Sequence, residues 1–367
     1  MTDGGIPGCM QNDSKLNRVL KKYYPARLLA NREPLVRCDA RRSVSFQPLQ
    51  AHGLQDFLAL EVRPREMLLD PILPERSLAM LYAPRGIGKS WLGMSIGLAV
   101  ASGGSLLRWN APRARRVLYV DGEMQVADLQ SRLASIQAGM GVEIPSDGFR
   151  VLAADMTEHG INLSNEEGQR ALEILLNGVD LLIVDNLSTL MASGSEAASG
   201  AWLPMQNWVL RLRRKGVAVL LIHHAGLNGK QRGTSRREDT LDTVISLRRP
   251  DDYSPDEGAR FEVRIEKART LVGEGALPFE AAVESFVTAS GRSAVQWVAR
   301  DLRPPIFDQA AELFASGMSV RQVAARLQIS RSEAGRLRLR AAAEGYLEEG
   351  EEEREPEIIM DGHSRPN

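Results

Sequence analysis

A short segment in the first third of the chain constrains its fold more than any other feature. It reads Ala83-Pro84-Arg85-Gly86-Ile87-Gly88-Lys89-Ser90, follows the apolar run Leu78–Tyr82 and precedes a stretch long enough for a helix. A strand, a glycine-rich turn ending in Gly-Lys-Ser and a helix are the setting of the phosphate loop, GxxxxGK[ST]. The sequence therefore predicts an α/β fold in which this turn surrounds the phosphates of a nucleotide.

The residue types in this turn suit phosphate binding. Gly86 and Gly88 allow backbone N–H groups to turn toward phosphate oxygens, and the N-terminus of the next helix adds partial positive charge. We expect Lys89 to reach the β- and γ-phosphates and Ser90 to ligate Mg²⁺. Ala83 replaces the first glycine, which is tolerated if its φ is negative. The predicted nucleotide-binding residues are Pro84, Arg85, Gly86, Ile87, Gly88, Lys89, Ser90 and Trp91.

From about Glu61 onward, short apolar runs alternate with longer stretches. Such runs fit buried parallel strands, and the alternation predicts a mostly parallel sheet with helices on both faces, extended by antiparallel edge strands. The predicted strands are Leu78–Tyr82, Val117–Asp121, Val151–Ala153, Leu181–Asp185, Val217–His223, Val244–Leu247, Phe261–Glu266, Phe279–Val283 and Val295–Val298. The predicted helices are Trp91–Ala101, Val126–Met140, Glu166–Leu176 and Ala201–Arg214.

The chain is long enough for several folded units. It has 367 residues, of which 43% are hydrophobic and 25% charged, as in soluble globular proteins. We predict an N-terminal accessory segment at 1–60, an α/β domain at 61–302, a small helical domain at 303–345 and an acidic, disordered tail at 346–367. The sequence Arg303-Pro304-Pro305 is interpreted as the linker between the two domains.

No feature of the sequence indicates export or a membrane. Its two cysteines, Cys9 and Cys38, form no disulfide framework or zinc spacing, and the N-terminus shows no secretory signal. The uncharged run Ser90–Leu107 is long, but its glycines and its place after the phosphate loop indicate a buried helix. We therefore expect a cytoplasmic protein without a membrane partner.

Two predicted strands end in carboxylates. Asp185 ends Leu181–Asp185, at the sheet edge where α/β folds bind ligands, and could hold Mg²⁺ through water. Glu123 follows Val117–Asp121 and could deprotonate the attacking water. Asp121 is the competing candidate for that base.

Histidines and basic residues complete the pattern. His223 and His224 end one strand and should face opposite ways, so that one of them could sense the γ-phosphate. The segment 225–235 is a glycine-rich basic loop that could touch nucleic acid or a neighbouring subunit's nucleotide. Lys267 and Arg269 share a strand face, which suits a phosphate supplied by a neighbouring subunit.

Together these motifs resemble RecA-like ATPases of the AAA class, in particular plasmid RepA-type hexameric replicative helicases and DnaB-like ATPases. The resemblance covers roughly Arg65 to Phe279. It implies ATP and Mg²⁺ bound between subunits of a homo-oligomeric ring, usually of six. It also implies roles: Lys89 and Ser90 for phosphate and Mg²⁺, Glu123 as general base, Asp185 as ligand of Mg²⁺-bound water, His224 as γ-phosphate sensor, and Arg232 or Arg269 as arginine finger.

The C-terminal part resembles a helix-turn-helix unit. Its predicted helices are Phe307–Ala315, Ser319–Leu327 with Ser319 as N-cap, and about Arg331 to Ala343. Its predicted core is Val320, Val323, Ala324, Leu327, Ile329, Ala334, Leu337 and Leu339. Its predicted DNA contacts are Ser330, Arg331, Ser332 and Arg336, with Arg338 and Arg340 reaching phosphates. The alternative is a helical packing or oligomerisation module with a basic face.

Three functions fit these features at the level of sequence. The first is an ATP-driven ring motor on DNA, a helicase with single-stranded DNA through the ring and duplex at the C-terminal unit. A role in plasmid or phage replication is implied by the resemblance alone. The second is an ATP-switched DNA-binding regulator or loader that does not unwind. The third, a small-molecule kinase, lacks an acceptor-site signature.

Overall fold

The computed structural model describes residues 50–191, 199–225, 239–269, 271, 273–302 and 306–347. The chain divides into two compact units, with the boundary between Asp301 and Leu302. Several predictions fall outside the described residues. They concern Arg232 with most of its loop, Cys9 and Cys38, most of the accessory segment, the linker 303–305 and the acidic tail from residue 348.

The first unit is built on a nine-stranded sheet with the order β13-β12-β11-β10-β3-β9-β8-β6-β7. The strands from β10 to β7 in this order are parallel, and β11, β12 and β13 add antiparallel to β10. The bounds are β3 Leu78–Ala83, β6 Val117–Asp121, β7 Phe149–Ala153, β8 Leu181–Asp185, β9 Ala218–His224, β10 Thr243–Arg248, β11 Arg260–Ala268, β12 Phe279–Val287 and β13 Ser293–Asp301. Two short hairpins pair β1 Met67–Leu69 with β2 Leu73–Pro74, and β4 Ser105–Leu106 with β5 Trp109–Asn110. The predicted α/β fold with a mostly parallel sheet is confirmed.

Six helices are described in this unit: α1 Leu54–Leu58, α2 Lys89–Ser102, α3 Val126–Met140, α4 Glu166–Leu175, α5 Leu187–Leu190 and α6 Ser199–Arg214. The prediction of one buried helix over Ser90–Leu107 is wrong for its last residues. Helix α2 ends at Ser102 because Gly103 adopts a left-handed conformation with φ 71° and donates its N–H to the Ala99 carbonyl. No described helix is long and apolar enough to cross a membrane.

Alternation along β3 separates two apolar layers. Ala79, Leu81 and Ala83 join the layer formed with α2 and α3, and Leu78, Met80 and Tyr82 join the layer formed with α4, α5 and α6. The antiparallel extension also contacts α2, because the Trp297 indole donates a hydrogen bond to Ser95 Oγ at 2.8 Å. The phosphate-loop helix is therefore buried on nearly every side, which explains why it carries no charged residue after Lys89.

The second unit contains three short helices, α7 Ile306–Ala315, α8 Val320–Leu327 and α9 Arg331–Ala343. Ser319 caps α8 in a capping box with Gln322, as its predicted N-cap role requires. Gln328, with φ 55°, ends α8, and three residues connect it to α9. Apolar side chains from all three helices form a small core that includes Phe307, Ala310, Phe314, Val323, Leu337 and Ala341.

The predicted core position of Leu339 is wrong. Ala334 and Ala341 are buried, but the Leu339 side chain is 74% exposed. At 100° per residue, Leu339 lies nearly opposite the inner face that Ala334, Leu337 and Ala341 share. Phe307 and Phe314 of α7 provide the bulk of the core instead.

Candidate nucleotide-binding site

A cavity of about 560 Å³ lies at the carboxyl ends of the parallel strands. Open α/β sheets bind their ligands at this edge. The lining residues come from the phosphate loop, the ends of β6, β8 and β9, α3 and the β10–β11 connection: Arg85, Gly86, Gly88, Lys89, Ser90, Trp91, Asp121, Glu123, Met124, Arg132, Asp185, Asn186, His224, Arg249, Tyr253, Pro255, Gly258 and Ala259. Most of the predicted site residues thus lie around one cavity.

The turn after β3 has the backbone conformation that a phosphate loop requires. Gly86 and Gly88 have φ values of 74° and 119°, which favour glycine. A Cβ at Gly88 would also lie 2.9 Å from Phe261 Cε1, so the antiparallel extension limits this position to glycine. Ala83 continues β3 with an ordinary negative φ, which confirms the condition under which it can replace the first glycine.

Lys89 is the buried cation of the loop. Its ammonium donates hydrogen bonds to the carbonyls of Pro84 at 2.7 Å and Ala83 at 3.1 Å. Burial lowers the pKa of Lys89 to about 8, although the negative charges of Asp185 and Glu123 act in the opposite direction. A polyphosphate beside this ammonium would restore the charged form.

Asp185 ends β8 beside the start of α2 and is 3% exposed. Its carboxylate accepts hydrogen bonds from the Tyr119 hydroxyl, at 2.5 Å, and from the Ser90 hydroxyl. Burial raises the pKa of Asp185, and these hydrogen bonds and the charge of Lys89 oppose that shift. The structure therefore brings together Ser90 and Asp185, the two predicted Mg²⁺ ligands.

These two groups fit Mg²⁺ chemically. The ion prefers hard oxygen ligands and keeps several of its waters, so a hydroxyl, one carboxylate and substrate phosphates suffice. Among the described residues, no group of three or more histidine, cysteine or acidic side chains could hold a metal ion. A cation that arrives with the nucleotide is consistent with this donor set.

Glu123 lies beyond the end of β6 and faces the same cavity. Its carboxylate accepts a short hydrogen bond from the Asn186 amide and lies 3.8 Å from His224 Nε2. Asn186 is held in turn, because its side-chain oxygen accepts the Thr189 N–H at the start of α5. Sequence reasoning did not single out Asn186, although its position directly after Asp185 is a usable signal.

Asp121, the competing candidate for the general base, has a different environment. Its carboxylate accepts the backbone N–H groups of Met124 at 2.7 Å and Glu123 at 3.1 Å. Burial raises the pKa of Asp121 to about 6. Asp121 therefore shapes the turn that presents Glu123, which favours Glu123 as the base.

The two adjacent histidines are both buried at the end of β9. His224 pairs with Ala83 in the parallel register and lines the cavity, whereas His223 pairs with Tyr82 and is not among the lining residues. Strand alternation separates the two side chains, as the sequence predicts. His224 is thus the histidine in position to reach a γ-phosphate.

The connection between β10 and β11 supplies lining residues that sequence reasoning missed. The Arg249 guanidinium donates to the Gly86 carbonyl at 3.0 Å and stacks on the Tyr253 ring, 3.7 Å from its centroid. It also donates to the carbonyls of Gly258 and Arg260. The signal available in the sequence was Tyr253, inside the Asp-rich turn 251–256, with Arg249 just before that turn. Only the pairing of β10 with β3 places these two residues at the phosphate loop.

An ion cluster around the buried Arg260 fixes this connection. Arg260 has a side chain only 9% exposed and contacts the carboxylates of Glu280, Glu257 and Asp252 at 2.8 to 2.9 Å. The hydrogen bond that Arg260 donates to the Glu280 carboxylate is the main reason that the pKa of Arg260 is raised. Because Glu280 lies on β12, the cluster ties the cavity wall to the antiparallel extension.

Of the two predicted finger residues, only Arg269 is described. It follows β11 and donates to the backbone carbonyls of Asp239 at 2.8 Å and Leu241 at 3.3 Å. It does not line the cavity of its own chain. A finger role stays a prediction for Arg269 and for Arg232.

The family of the chain is shown by its similarity to known proteins. A family model described as an AAA domain matches residues 41–230, more than half of the 367-residue chain. The chain therefore belongs to this AAA domain family, and it is a P-loop ATPase with a RecA-like core. No curated protein sequence matches the chain.

Three solved structures are similar to it. The KaiC-like protein PH0186 from Pyrococcus horikoshii OT3 is 15% identical over 62% of this chain and 93% of that chain, with a TM-score of 0.40. The flagellar accessory protein FlaH from Methanocaldococcus jannaschii is 11% identical over 62% and 91%, with a TM-score of 0.44. The RadB recombinase is 16% identical over 62% and 92%, with a TM-score of 0.40.

Proposed function

We propose that this ATPase hydrolyses ATP with Mg²⁺ and couples hydrolysis to DNA, as a ring-forming helicase. The observation that carries the hydrolytic part is the arrangement of Lys89, Asp185 and Glu123 around one cavity. A phosphate-binding cation, a Mg²⁺ ligand and a base are the parts that phosphoryl transfer to water needs.

The sheet order supports one orientation for the nucleotide. Glu123, Asp185 and His224 follow β6, β8 and β9, all on one side of β3, whereas Arg249 and Tyr253 follow β10 on the other side. The γ-phosphate therefore belongs beside the carboxylates. The nucleoside belongs beside the β10–β11 connection, where the Tyr253 ring offers an aromatic face.

In this orientation each side chain has a defined task. Ser90, and Asp185 through water, would hold Mg²⁺, which would supply charge neutralisation at the phosphates. Glu123 takes a proton from the attacking water. The water oxygen forms a bond to the γ-phosphorus, and the bond between the γ-phosphorus and the β,γ-bridging oxygen breaks. The products are ADP and inorganic phosphate. His224, 3.8 Å from Glu123, is placed to respond when the γ-phosphate leaves.

The case for DNA as partner rests on the C-terminal unit. Residues 318–340 contain six Arg and one acidic residue, Glu333. Arg331, Ser332 and Arg336 are exposed at the start of α9, and a three-residue turn connects α8 to α9. Two helices joined by a three-residue turn, with exposed arginines at the start of the second, support a helix-turn-helix unit, in which the second helix of the motif enters the major groove.

The proposal that subunits form a ring rests on the basic residues Lys267, Arg269 and Arg232. Lys267 lies near the end of β11 and Arg269 follows it, and neither residue lines the cavity of its own chain. A neighbouring subunit that presents Arg269, or Arg232, to this cavity would complete the charge stabilisation of the transition state. A hexamer with single-stranded DNA through its centre follows from the family resemblance, as does a role in replication.

A second function, an ATP-switched DNA-binding regulator or loader, is favoured by the same C-terminal unit. Helix-turn-helix units read duplex DNA, which a pure single-strand motor does not need. The two functions differ in whether single-stranded DNA stimulates ATP hydrolysis, so a hydrolysis assay can distinguish them.

The test is steady-state ATP hydrolysis with and without single-stranded DNA, with Lys89→Ala as the blank. Strong stimulation that is absent in Lys89→Ala supports the motor and justifies an unwinding assay. Hydrolysis that DNA does not stimulate supports the regulator instead. Hydrolysis that is unchanged in Lys89→Ala contradicts the assignment of the site itself.

A further inference from the structure

Gly335 lies in the middle of α9, where the described structure gives no packing reason for glycine. Glycine is, after proline, the least favourable residue inside a helix. A Cβ at Gly335 would meet no atom within 4 Å, and Gly335 is not among the residues with positive φ. By contrast, a Cβ at Gly122 would lie 2.5 Å from Thr189 Oγ1. Alanine would fit at position 335 and would favour the helix.

Gly335 borders the outermost face of α9. Ala334, Leu337 and Ala341 face the core, and the helical period places Ser332, Arg336 and Leu339 on the opposite side. The Leu339 side chain is 74% exposed, so a polar residue at this position would not disturb the core. A missing side chain and an exposed leucine therefore lie beside the predicted DNA contacts.

We propose that Gly335 and Leu339 are contact residues for the major groove of duplex DNA. The missing Cβ at Gly335 lets the α9 backbone approach the groove closely. Leu339 then packs against an apolar base edge, such as the C5-methyl group of thymine. The proposal rests on the proposed DNA binding of the C-terminal unit and adds two residues that set its sequence preference.

Charge complementarity favours DNA over a second copy of the chain. The apolar part of this face is one leucine wide, which is too small for a stable protein interface. Arg331, Arg336 and Arg338 are exposed around it. In a symmetric contact through α9 these arginines would face one another, whereas on DNA they face phosphates.

The experiment uses the full chain and a random-sequence duplex library, from which bound duplexes are selected. Affinity is then measured for a selected duplex and for its scrambled version. We expect Gly335→Ala to weaken binding of the selected duplex about tenfold and to leave the scrambled duplex unchanged. Leu339→Gln should lower the preference for thymine at one position, and Ser316→Ala, on an exposed residue after α7, is the negative control.

Amide hydrogen exchange of α9 in the same full-length proteins distinguishes the loss of a DNA contact from destabilisation of the helix. Gly335→Ala should slow exchange about fivefold, because alanine stabilises the helix. A more stable helix that binds DNA less well is the expected result. Weaker binding together with faster exchange would mean that the substitution damages the helix, and it would overturn the proposal.

Arg336→Ala distinguishes failure of this inference from failure of the proposed function. If Arg336→Ala weakens duplex binding and Gly335→Ala does not, the unit binds DNA but Gly335 makes no contact. If neither substitution has an effect, or if selection yields no duplex, the proposed DNA binding of the unit is itself wrong.

Discussion

The hydroxyl of Tyr119 donates a hydrogen bond to the Asp185 carboxylate, with 2.5 Å between the two oxygens. Tyr119 lies on β6 and Asp185 on the neighbouring β8, and both side chains are buried. This bond is one of three influences that favour the ionised form of a buried carboxylate, together with Ser90 and Lys89, and that oppose the effect of burial on its pKa. Its loss should therefore change the pH range in which Asp185 can serve Mg²⁺.

We predict that Tyr119→Phe moves the acid limb of ATP turnover to higher pH. Burial already raises the pKa of Asp185, and removal of a hydrogen bond to the charged form raises it further. Turnover should then be lost sooner as pH falls. Tyr82→Phe, a substitution of a buried tyrosine in the opposite apolar layer, is the control. An acid limb that does not move would mean that Tyr119 has only a packing role.

The pKa of Lys89, about 8, predicts how ATP affinity depends on pH. ATP requires the charged ammonium, so above pH 8 binding must take up a proton, and affinity should fall by up to about tenfold per pH unit. Below pH 8 affinity should vary little. Titration calorimetry in buffers of different ionisation enthalpy measures this proton uptake, and its absence at pH 9 would contradict the prediction.

The same shift predicts a dependence of stability on pH. The folded-state pKa of Lys89 lies below its ordinary value of 10.5, so the unfolded chain binds more protons between these values. The free energy of unfolding should therefore gain a contribution from Lys89 as pH rises from about 8 to 10.5. In Lys89→Ala this contribution should be missing, and Lys215→Ala, at an exposed site, should keep it.

Glu123→Gln should keep ATP binding but lower turnover by about a hundredfold or more, because an amide cannot accept the proton from water. The Asn186 amide can still hydrogen-bond to the new side chain, so the fold of the site should persist. Binding of a fluorescent ATP analogue and phosphate release are the measurements. Glu158→Gln, at an exposed position, is the matched control. Full turnover in Glu123→Gln would return Asp121 to consideration as the base.

Tyr253→Ala should raise KM for ATP by about fivefold with little change in kcat, because the loss of one aromatic face affects binding of the nucleoside and not the chemical step. Arg260→Ala should have a similar but larger effect, because it releases the connection that carries Tyr253 and Arg249. Phe286→Ala, on the exposed end of β12, is the control. A fall in kcat without a change in KM would contradict the orientation proposed for the nucleotide.

Removal of residues 305–367 should weaken duplex binding and leave basal hydrolysis intact, because the lining residues of the cavity all precede residue 302. Duplex affinity of the full chain should also fall steeply with salt if phosphate contacts dominate. Filter binding at several salt concentrations measures both effects. An unchanged duplex affinity would support the alternative of a helical packing module.

The sequence predicts the strands near the site well, because a polar or charged residue ends each apolar run. β6 and β8 begin and end at the predicted residues, since each apolar run stops at an aspartate. The phosphate loop, Asp185, Glu123 and His224 could be predicted for the same reason. Each lies directly after a recognisable strand.

Other features depend on contacts that a single sequence does not reveal. Arg249 reaches Gly86 only because β10 pairs with β3 across more than 160 residues of sequence. Tyr119 was predicted only as part of a strand, and its bond to Asp185 depends on β8 lying next to β6. Leu339 is a different case, because the helical period alone sets it about 200° from Leu337 and so could have excluded it from the core.

Strand register in the sheet has a consequence for how activity should be interpreted. Asp185 lies opposite Asp121 on β6 and opposite Ile222 on β9, and Ala83 lies opposite His224. A slip of one residue in β8 would turn Asp185 away and present Val184. Such a chain could keep its compactness and its helices and still lose all turnover. ATP hydrolysis by this protein therefore reports the fraction of molecules that have the correct strand register. Molecules with a shifted register should show no turnover, rather than slow turnover.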